Sequence, residues 1–221
     1  MTSLLQALVD TRTAGAAAPL APAAQPVSEE AVRLALQLRE VRSRNGGRTV
    51  LFVPASTALD AAAVTDDAVR GLLELHEGPI LLMDLRAEPA PGGPEQGYPP
   101  EPEDIGSSGA SYWGSGASSS AVMARPFAGR RDTVTYAAST EFAARLADAR
   151  ARYPYVLCIG GPVAGAVETL ITAALVDGVV LSVAPGKTTR TDMQAVTARL
   201  RRARATIVGF VVDERPPTKG A

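Results

Sequence analysis

The sequence holds one cysteine, Cys158, and one histidine, His76, among 221 residues. That scarcity excludes an intramolecular disulfide framework and a zinc site assembled from cysteines and histidines. A surplus of either charge is also missing. The 22 Lys and Arg balance 23 Asp and Glu to leave a formal charge of −1, so no overall basic field exists to hold a phosphate backbone, and nucleic acid is not an expected partner. No apolar run approaches the roughly 20 residues needed to span a bilayer. The leucines near the N-terminus follow no basic stretch of the kind that opens a secretory signal. These absences predict a cytoplasmic chain with no direct membrane insertion, any membrane association being supplied by a partner. What is present is 46% hydrophobic and 20% charged residues, enough for one domain, or a small pair, around a buried core.

Glycine and proline are ordinary in total but uneven in placement. Glu88 to Ser120 contains seven Gly, six Pro and seven Ser, and its five charges, Glu88, Glu95, Glu101, Glu103 and Asp104, are all acidic. Such a composition buries too little apolar surface to offset its ordering entropy and predicts a disordered insertion. An Ala/Pro-rich linker, Thr11 to Pro26, separates a short amphipathic start (Leu4, Leu5, Leu8) from the body. The expected organisation is an N-terminal arm over 1–26, one domain over 27–215 carrying the insertion, and a tail over 216–221.

Within the domain, compact apolar runs alternate with helical periodicity, the signature of an α/β fold. Ser28 can cap a helix carrying Val32, Ala35, Leu36 and Leu38, with Val27 placed to staple onto Val32. Strands are expected at Thr49 to Val53, Ile80 to Asp84, Tyr155 to Ile159, Val179 to Ala184 and Thr206 to Val212. After the insertion the compact apolar run Val134 to Ala137 is read with the strands. Helices are expected over Asp60 to His76, after Ser139, over Val167 to Val176 and over Thr189 to Ala203. Strand runs this continuous suit a sheet buried on both faces. The fold class is therefore α/β, a three-layer sandwich with a mainly parallel sheet.

Ligands of open α/β sheets bind beyond the carboxyl ends of the strands, so those ends carry the candidates. A phosphate loop needs glycines that let backbone N–H groups converge, a Lys, and a Ser or Thr for Mg²⁺. The segment from Val53 to Ala62 offers none of the three in place. Gly186-Lys187-Thr188-Thr189 follows a strand and opens a helix, but the earlier glycine is Leu181. Thr189 and Asp192 read better as a capping pair, leaving Lys187 and Arg190 as weak anion attractors. Gly160 to Gly165 has phosphate-loop glycine spacing followed by Ala166 and Val167, and reads as a tight turn requiring positive φ. Asp84 and Asp213 end strands and are expected to face a common crevice as ligand contacts. His76 suits a helix C-terminus, and Cys158 an inert position in a buried strand. Tyr112 and Trp113 fall in the expected insertion.

Several segments together resemble one family. Asp177-Gly178-Val179 through Ala184 to Gly186-Lys187-Thr188-Thr189-Arg190 is similar to a strand-and-turn segment of the bacterial tyrosine autokinases of capsule and exopolysaccharide assembly, a branch of the MinD/ParA-type P-loop ATPases. Ala138 to Phe142 leading to Arg152-Tyr153-Pro154-Tyr155-Val156, and Ile80 to Asp84 followed by Arg86, resemble further family segments. Glu30-Ala31-Val32-Arg33 is similar to the opening of the helix through which these kinases form rings, which makes Glu30 and Arg33 candidate oligomer contacts. The resemblance covers about residues 28 to 215 and implies a P-loop NTPase-like fold.

The departures bear on activity. Ala61 and Ala62 stand at the family's phosphate-binding Lys and Ser/Thr positions, Arg86 replaces the second acid after Asp84, and Ile159 replaces the Walker B Asp. Leu36 replaces the second Arg of the ring motif, Asp213 stands where an adenine-contacting Asn is expected, and no Tyr follows Tyr155. Phosphoryl transfer rests on positioning and electrostatic stabilisation, and losses of about 3 kcal/mol per missing contact leave no useful rate. The expectation is a non-catalytic, kinase-like interaction or regulatory subunit of polysaccharide assembly, with no catalytic residue, no metal and no cofactor. Its expected partner is a membrane chain-length-determinant (co-polymerase) protein or an active kinase homologue. Two alternatives are an active autokinase or ATPase using ATP and Mg²⁺, and a non-hydrolysing nucleotide or anion sensor near Asp84, Gly160 and Lys187.

Overall fold

The computed structural model describes residues 27–86, 111–116, 119–127 and 130–215. The expected arm and tail, and the expected insertion up to residue 110, lie outside the described residues. The elements run α1 (Glu29–Arg39), β1 (Arg48–Pro54), α2 (Ala62–Glu74), β2 (Ile80–Asp84), β3 (Ser111–Gly116) and β4 (Ser119–Ala124). They continue through α3 (Thr133–Ala137), α4 (Thr140–Arg152), β5 (Tyr155–Ile159), α5 (Val167–Leu175), β6 (Gly178–Val183), α6 (Arg190–Arg202) and β7 (Ile207–Val212).

The strands form one sheet in the order β3-β4-β2-β5-β1-β6-β7. All neighbours are parallel except β3, which runs antiparallel to β4 at the edge. Strand alternation then sorts the apolar residues into two cores. Val50 and Phe52 of β1, Ile80 and Leu82 of β2, and Tyr155 and Leu157 of β5 pack under α1 and α2. Leu51, Val53, Leu81, Met83, Val156 and Cys158 face the opposite layer, with Phe142, Leu146, Ala173, Val196 and Leu200 of α4, α5 and α6. The three-layer, mainly parallel sandwich expected from the sequence is the fold observed.

The caps expected from the sequence hold the helix fronts. Ser28 Oγ accepts from Ala31 N at 3.1 Å, Ser139 Oγ from Phe142 N at 3.2 Å, and Thr189 and Asp192 form a reciprocal capping box. Along α1 the buried stripe is Ala31, Leu34, Ala35 and Leu38, while Leu36 is 46% exposed. Leu36 therefore belongs to the solvent face and not to the apolar stripe in which it was expected.

Two other expectations change. The disordered insertion was expected to reach Ser120, yet Ser111–Gly116 and Ser119–Ala124 are strands. The open edge of β2 supplies what that composition lacks: β4 pairs with it from Ile80 opposite Ala121 to Met83 opposite Ala124, and Ala121 is fully buried. Tyr112 and Trp113 accordingly lie in strand β3. The run Val134 to Ala137 lies in a short helix, α3, where Tyr136 meets Phe127 and Phe142 with ring centroids 5.9 and 5.6 Å apart.

The close approach of α1 to α2 is set by small residues. A Cβ added to Gly71, in the second half of α2, would overlap the Ala31 carbonyl oxygen and stand 3.0 Å from Ala35 Cβ. Helix propensity alone predicts that Gly71→Ala adds about 1 kcal/mol of stability. Overpacking against a backbone carbonyl costs about 1–3 kcal/mol and the helices cannot part without opening the core. Gly71→Ala is therefore expected to lower the urea midpoint, and Gly71→Val to lower it further; a raised midpoint for Gly71→Ala contradicts this packing.

Candidate functional site

Strand β1 lies between β5 and β6, and the chain leaves its carboxyl end toward β2 while it leaves β6 in the opposite direction, toward β7. This reversal of direction makes the crevice at the carboxyl ends of β1 and β6 the natural ligand position of the fold. The loop from Pro54 to Ala61 forms one wall and Ala184 to Thr188 the other, tied by Ala55 N donating to Ser182 O at 2.8 Å.

The front of α2 opens onto this edge, and a helix front presents unpaired N–H groups and a partial positive charge. Asp60 meets them. Its Oδ1 accepts from Ala62 N at 3.0 Å, and its Oδ2 accepts from Arg86 Nη1 at 2.7 Å. Arg86 in turn is forked onto Asp84 at the end of β2, with Nε to Oδ1 and Nη2 to Oδ2 both 2.8 Å. Arg86 N also donates to Oδ1, and Arg125 Nε lies 3.7 Å from Oδ2. A guanidinium thus sits between two carboxylates at the helix front. Ala61 is fully buried within the α1/α2 core, and Ala62 follows it. The helix front is met by the chain's own carboxylate, Asp60, and Ala61 and Ala62 bring no charge to it.

Burial raises the pKa of Asp84, but the hydrogen bonds and charge of Arg86, with Arg125 adding to them, outweigh it and hold the carboxyl below its usual value. The expected shared crevice for Asp84 and Asp213 is not observed. Asp84 ends β2 and Asp213 follows β7, with β5, β1 and β6 between them, a separation of about 19 Å at the usual strand spacing.

The two aspartates instead share a local motif. Arg215 donates its backbone N at 3.1 Å and its Nε at 2.7 Å to Asp213 Oδ1, as Arg86 does to Asp84 two residues earlier. Arg215 Nη1 then reaches α2, donating to Ala63 O at 3.2 Å and pairing with Asp67 Oδ2 at 2.9 Å. Asp-Leu-Arg and Asp-Glu-Arg therefore hook the front half of α2 from both sides. Sequence reading singled out Arg86 as a departure but missed Arg215, Asp60 and Asp67; the repeated Asp-Xaa-Arg spacing after two strands was the available signal.

The other candidates have structural roles. In the turn after β6, Gly186 has φ +73°, Thr188 Oγ1 accepts from Ala184 N at 3.0 Å, and half-buried Lys187 donates its backbone N to Ala184 O. The Thr188 hydroxyl is thus bonded within the turn, and the Thr189 hydroxyl is bonded to Asp192 in the first turn of α6. Gly160, Gly161 and Gly165 were expected at positive φ, but none adopts it. Gly160 and Gly161 matter for space: a Cβ on the first would stand 3.0 Å from Thr169 Cγ2, and one on the second 3.2 Å from Ala166 Cβ. These small residues let the front of α5 approach the end of β5.

Asp177 anchors the opposite, amino end of the sheet, accepting from Thr49 N at 2.8 Å and Arg44 N at 3.0 Å. Cys158 is fully buried and its thiol is pushed up to about 12 by burial. His76 closes α2 with φ 57° and is exposed. Glu30 and Arg33 lie on the exposed face of α1, where Arg33 pairs with Glu29 at 2.7 Å. Among the described residues no group of three or more His, Cys, Asp or Glu side chains is placed to hold a metal. No described helix is long and apolar enough to cross a membrane.

Comparison with solved structures places this architecture. The chain is similar to the VpsO kinase domain, with 16% identity, a TM-score of 0.64, and 85% of this chain and 97% of that one covered. It is similar to the kinase domain of the Escherichia coli tyrosine kinase ETK, with 13% identity, a TM-score of 0.67, and coverage of 87% and 78%. The chimerical protein CapA2B2 matches with 12% identity, a TM-score of 0.66 and 87% of each chain covered. No protein-family model matches the sequence, and no curated protein sequence matches it. The chain has the fold of bacterial tyrosine kinase domains, as the resemblance implied.

The two hooks differ in burial, and this yields a graded prediction. Asp84 and Arg86 side chains are 7% and 24% exposed, so Arg86→Met, which strands a buried carboxylate, is expected to cost about 3 kcal/mol. Arg215 is 44% exposed, and Arg215→Met is expected to cost at most about 1 kcal/mol. Because the folded pKa of Asp84 is depressed, its stabilisation is full above the unfolded value of about 3.9 and fades as pH falls through the folded value. Denaturation midpoints measured from neutral to acid pH should show a shallower acid loss for Asp84→Asn than for the parent chain. Equal costs for the two arginines contradict the assignment.

Proposed function

We propose that this chain is a non-catalytic, kinase-like subunit that works through binding and regulation in exopolysaccharide or capsule assembly. The observation that carries the reading is the Asp84–Arg86–Asp60 array at the front of α2. A magnesium nucleotide needs free helix-front N–H groups, a cation for its phosphates and acids or hydroxyls for the metal. Here Asp60 accepts from the helix front, Arg86 bridges Asp60 and Asp84 so that two carboxylates share one guanidinium, and Ala61 is sealed in the core. An incoming phosphate meets the half-exposed carboxylate of Asp60 at that helix front. The residues present do not fit Mg·ATP.

The kinase fold supports the reading from the other side. Ile159 apart, the substituted positions supply none of the large apolar side chains of the two cores, and Ile159 adds to one of them, so the α/β scaffold persists without a working phosphate site. The pathway and the partner follow from the family resemblance: the cytosolic tail of a membrane chain-length-determinant protein, or an active kinase homologue that such a domain resembles in shape. Association with that partner would bring a cytoplasmic chain to the inner membrane.

Isothermal titration of the purified chain with Mg·ATP should give no saturable heat at micromolar ligand. Incubation with ATP and Mg²⁺ should yield no phosphotyrosine by mass spectrometry. Micromolar binding together with tyrosine phosphorylation would overturn the reading in favour of an active kinase. Micromolar binding without turnover would overturn it in favour of a nucleotide sensor.

A further inference from the structure

Most of the last strand lacks the devices that keep sheet edges apart. Strand β7 pairs with β6 on one side, and no described strand pairs with its other edge. Natural edges are blunted by charges, proline or bulges. Ile207-Val208-Gly209-Phe210-Val211-Val212 contains no charged residue and no proline. One irregularity falls at its beginning, where β7 carries an extra residue, Val208, between the Val179–Ile207 and Val180–Gly209 pairs, leaving Gly209 to Val212 in regular register with Val180 to Val183. Phe210 is 64% exposed and Val212 49%. These alternate residues share a face in the regular part of the strand.

The charges flanking the strand are of opposite sign at its two ends. Arg201, Arg202 and Arg204 precede β7 and are exposed; Asp213 and Glu214 follow it, Glu214 exposed and Asp213 bonded to Arg215. Antiparallel pairing of the strand with itself sets the basic flank of one molecule beside the acidic flank of the other, twice over. Parallel pairing sets like charges together. A two-fold axis perpendicular to the sheet generates the antiparallel arrangement and keeps Phe210 and Val212 of both molecules on one side, where aromatic and β-branched cross-strand pairs stabilise a sheet.

We infer that β7 is a homodimerisation edge, pairing antiparallel with β7 of a second copy of this chain to continue the sheet across a two-fold axis. The occupant is a second copy because the edge is self-complementary in strand direction, apolar face and flanking charge. The surface is distinct from the α1 helix that the family resemblance suggests for ring contacts, and the inference does not rest on the nucleotide site.

Sedimentation of the full chain over a concentration series tests it. The parent chain is expected to dimerise reversibly. Phe210→Lys should weaken the dimer at least tenfold, and Arg204→Glu alone or Glu214→Arg alone should weaken it severalfold. The double charge swap should recover most of the loss. Phe210 and both flanking residues are exposed, so the variants retain the core. Single cysteines at 209, 210, 211 and 212 give an independent readout, since Cys158 is buried and a Cβ at Gly209 meets nothing within 4 Å. Only the residue on the axis brings its own copy within disulfide reach; its neighbours lie beyond about 7 Å. Crosslinking should therefore peak at one position and fall on either side.

A parent chain that stays monomeric overturns the inference, whether its own N-terminal arm or another protein's strand covers the edge. A dimer indifferent to Phe210→Lys, or crosslinking without a single peak, overturns it equally.

Discussion

A helix front at the carboxyl edge of a parallel sheet carries unpaired N–H groups and about half a unit of positive charge, and something negative has to meet it. In this protein Asp60 does so from within the chain. That placement makes the rest of the edge intelligible. A carboxylate there needs a counter-charge, and Arg86 supplies it while also satisfying Asp84, whose burial raises its pKa and is outweighed by Arg86. Arg215 holds the far side of the same helix through Asp67 and Ala63. The front half of α2 is thus clamped to the ends of β2 and β7 by side chains.

Such a clamp stabilises the fold only because the helix it holds is already seated. Ala31, Ala35, Ala68 and Gly71 bring α1 and α2 into close contact, and Val64, Val69 and Leu72 fill the core beneath them. Buried ion pairs add little net energy over apolar groups of equal size, whereas breaking one is costly. The array at Asp84 is therefore better understood as fixing where α2 starts than as a main source of stability. Burial on both faces of β1, β2 and β5 contributes most.

Much of this was legible in the residues. Strands β2 and β5 have the bounds expected from their continuous apolar runs, and Ser28, Ser139 and Thr189 cap as their spacing suggested. What escaped were features that depend on distant partners. Ala121-Val122-Met123 is too short and too Ser-flanked to announce a strand, and becomes one against the edge of β2. Arg86 was visible as a misplaced charge, but its bond to Asp60 requires the loop after β1 to fold back across 26 residues of sequence. Asp84 and Asp213 both end strands, and only the strand order shows that three strands keep them apart. Glycines at Gly160 and Gly161 suggested a turn, whereas the close approach of Thr169 and Ala166 explains them.

The central claim is that the chain's own carboxylate and guanidinium occupy the helix front against any phosphate. The most direct measurement follows the backbone amide resonance of Ala62 and the Nε–H resonance of Arg86 by nitrogen-correlated NMR while Mg·ATP is titrated in. The account predicts that both stay where they are in the free protein, because Asp60 and Asp84 keep their bonds. Saturable movement of the two resonances together, at ligand concentrations that leave the rest of the spectrum unchanged, would contradict it.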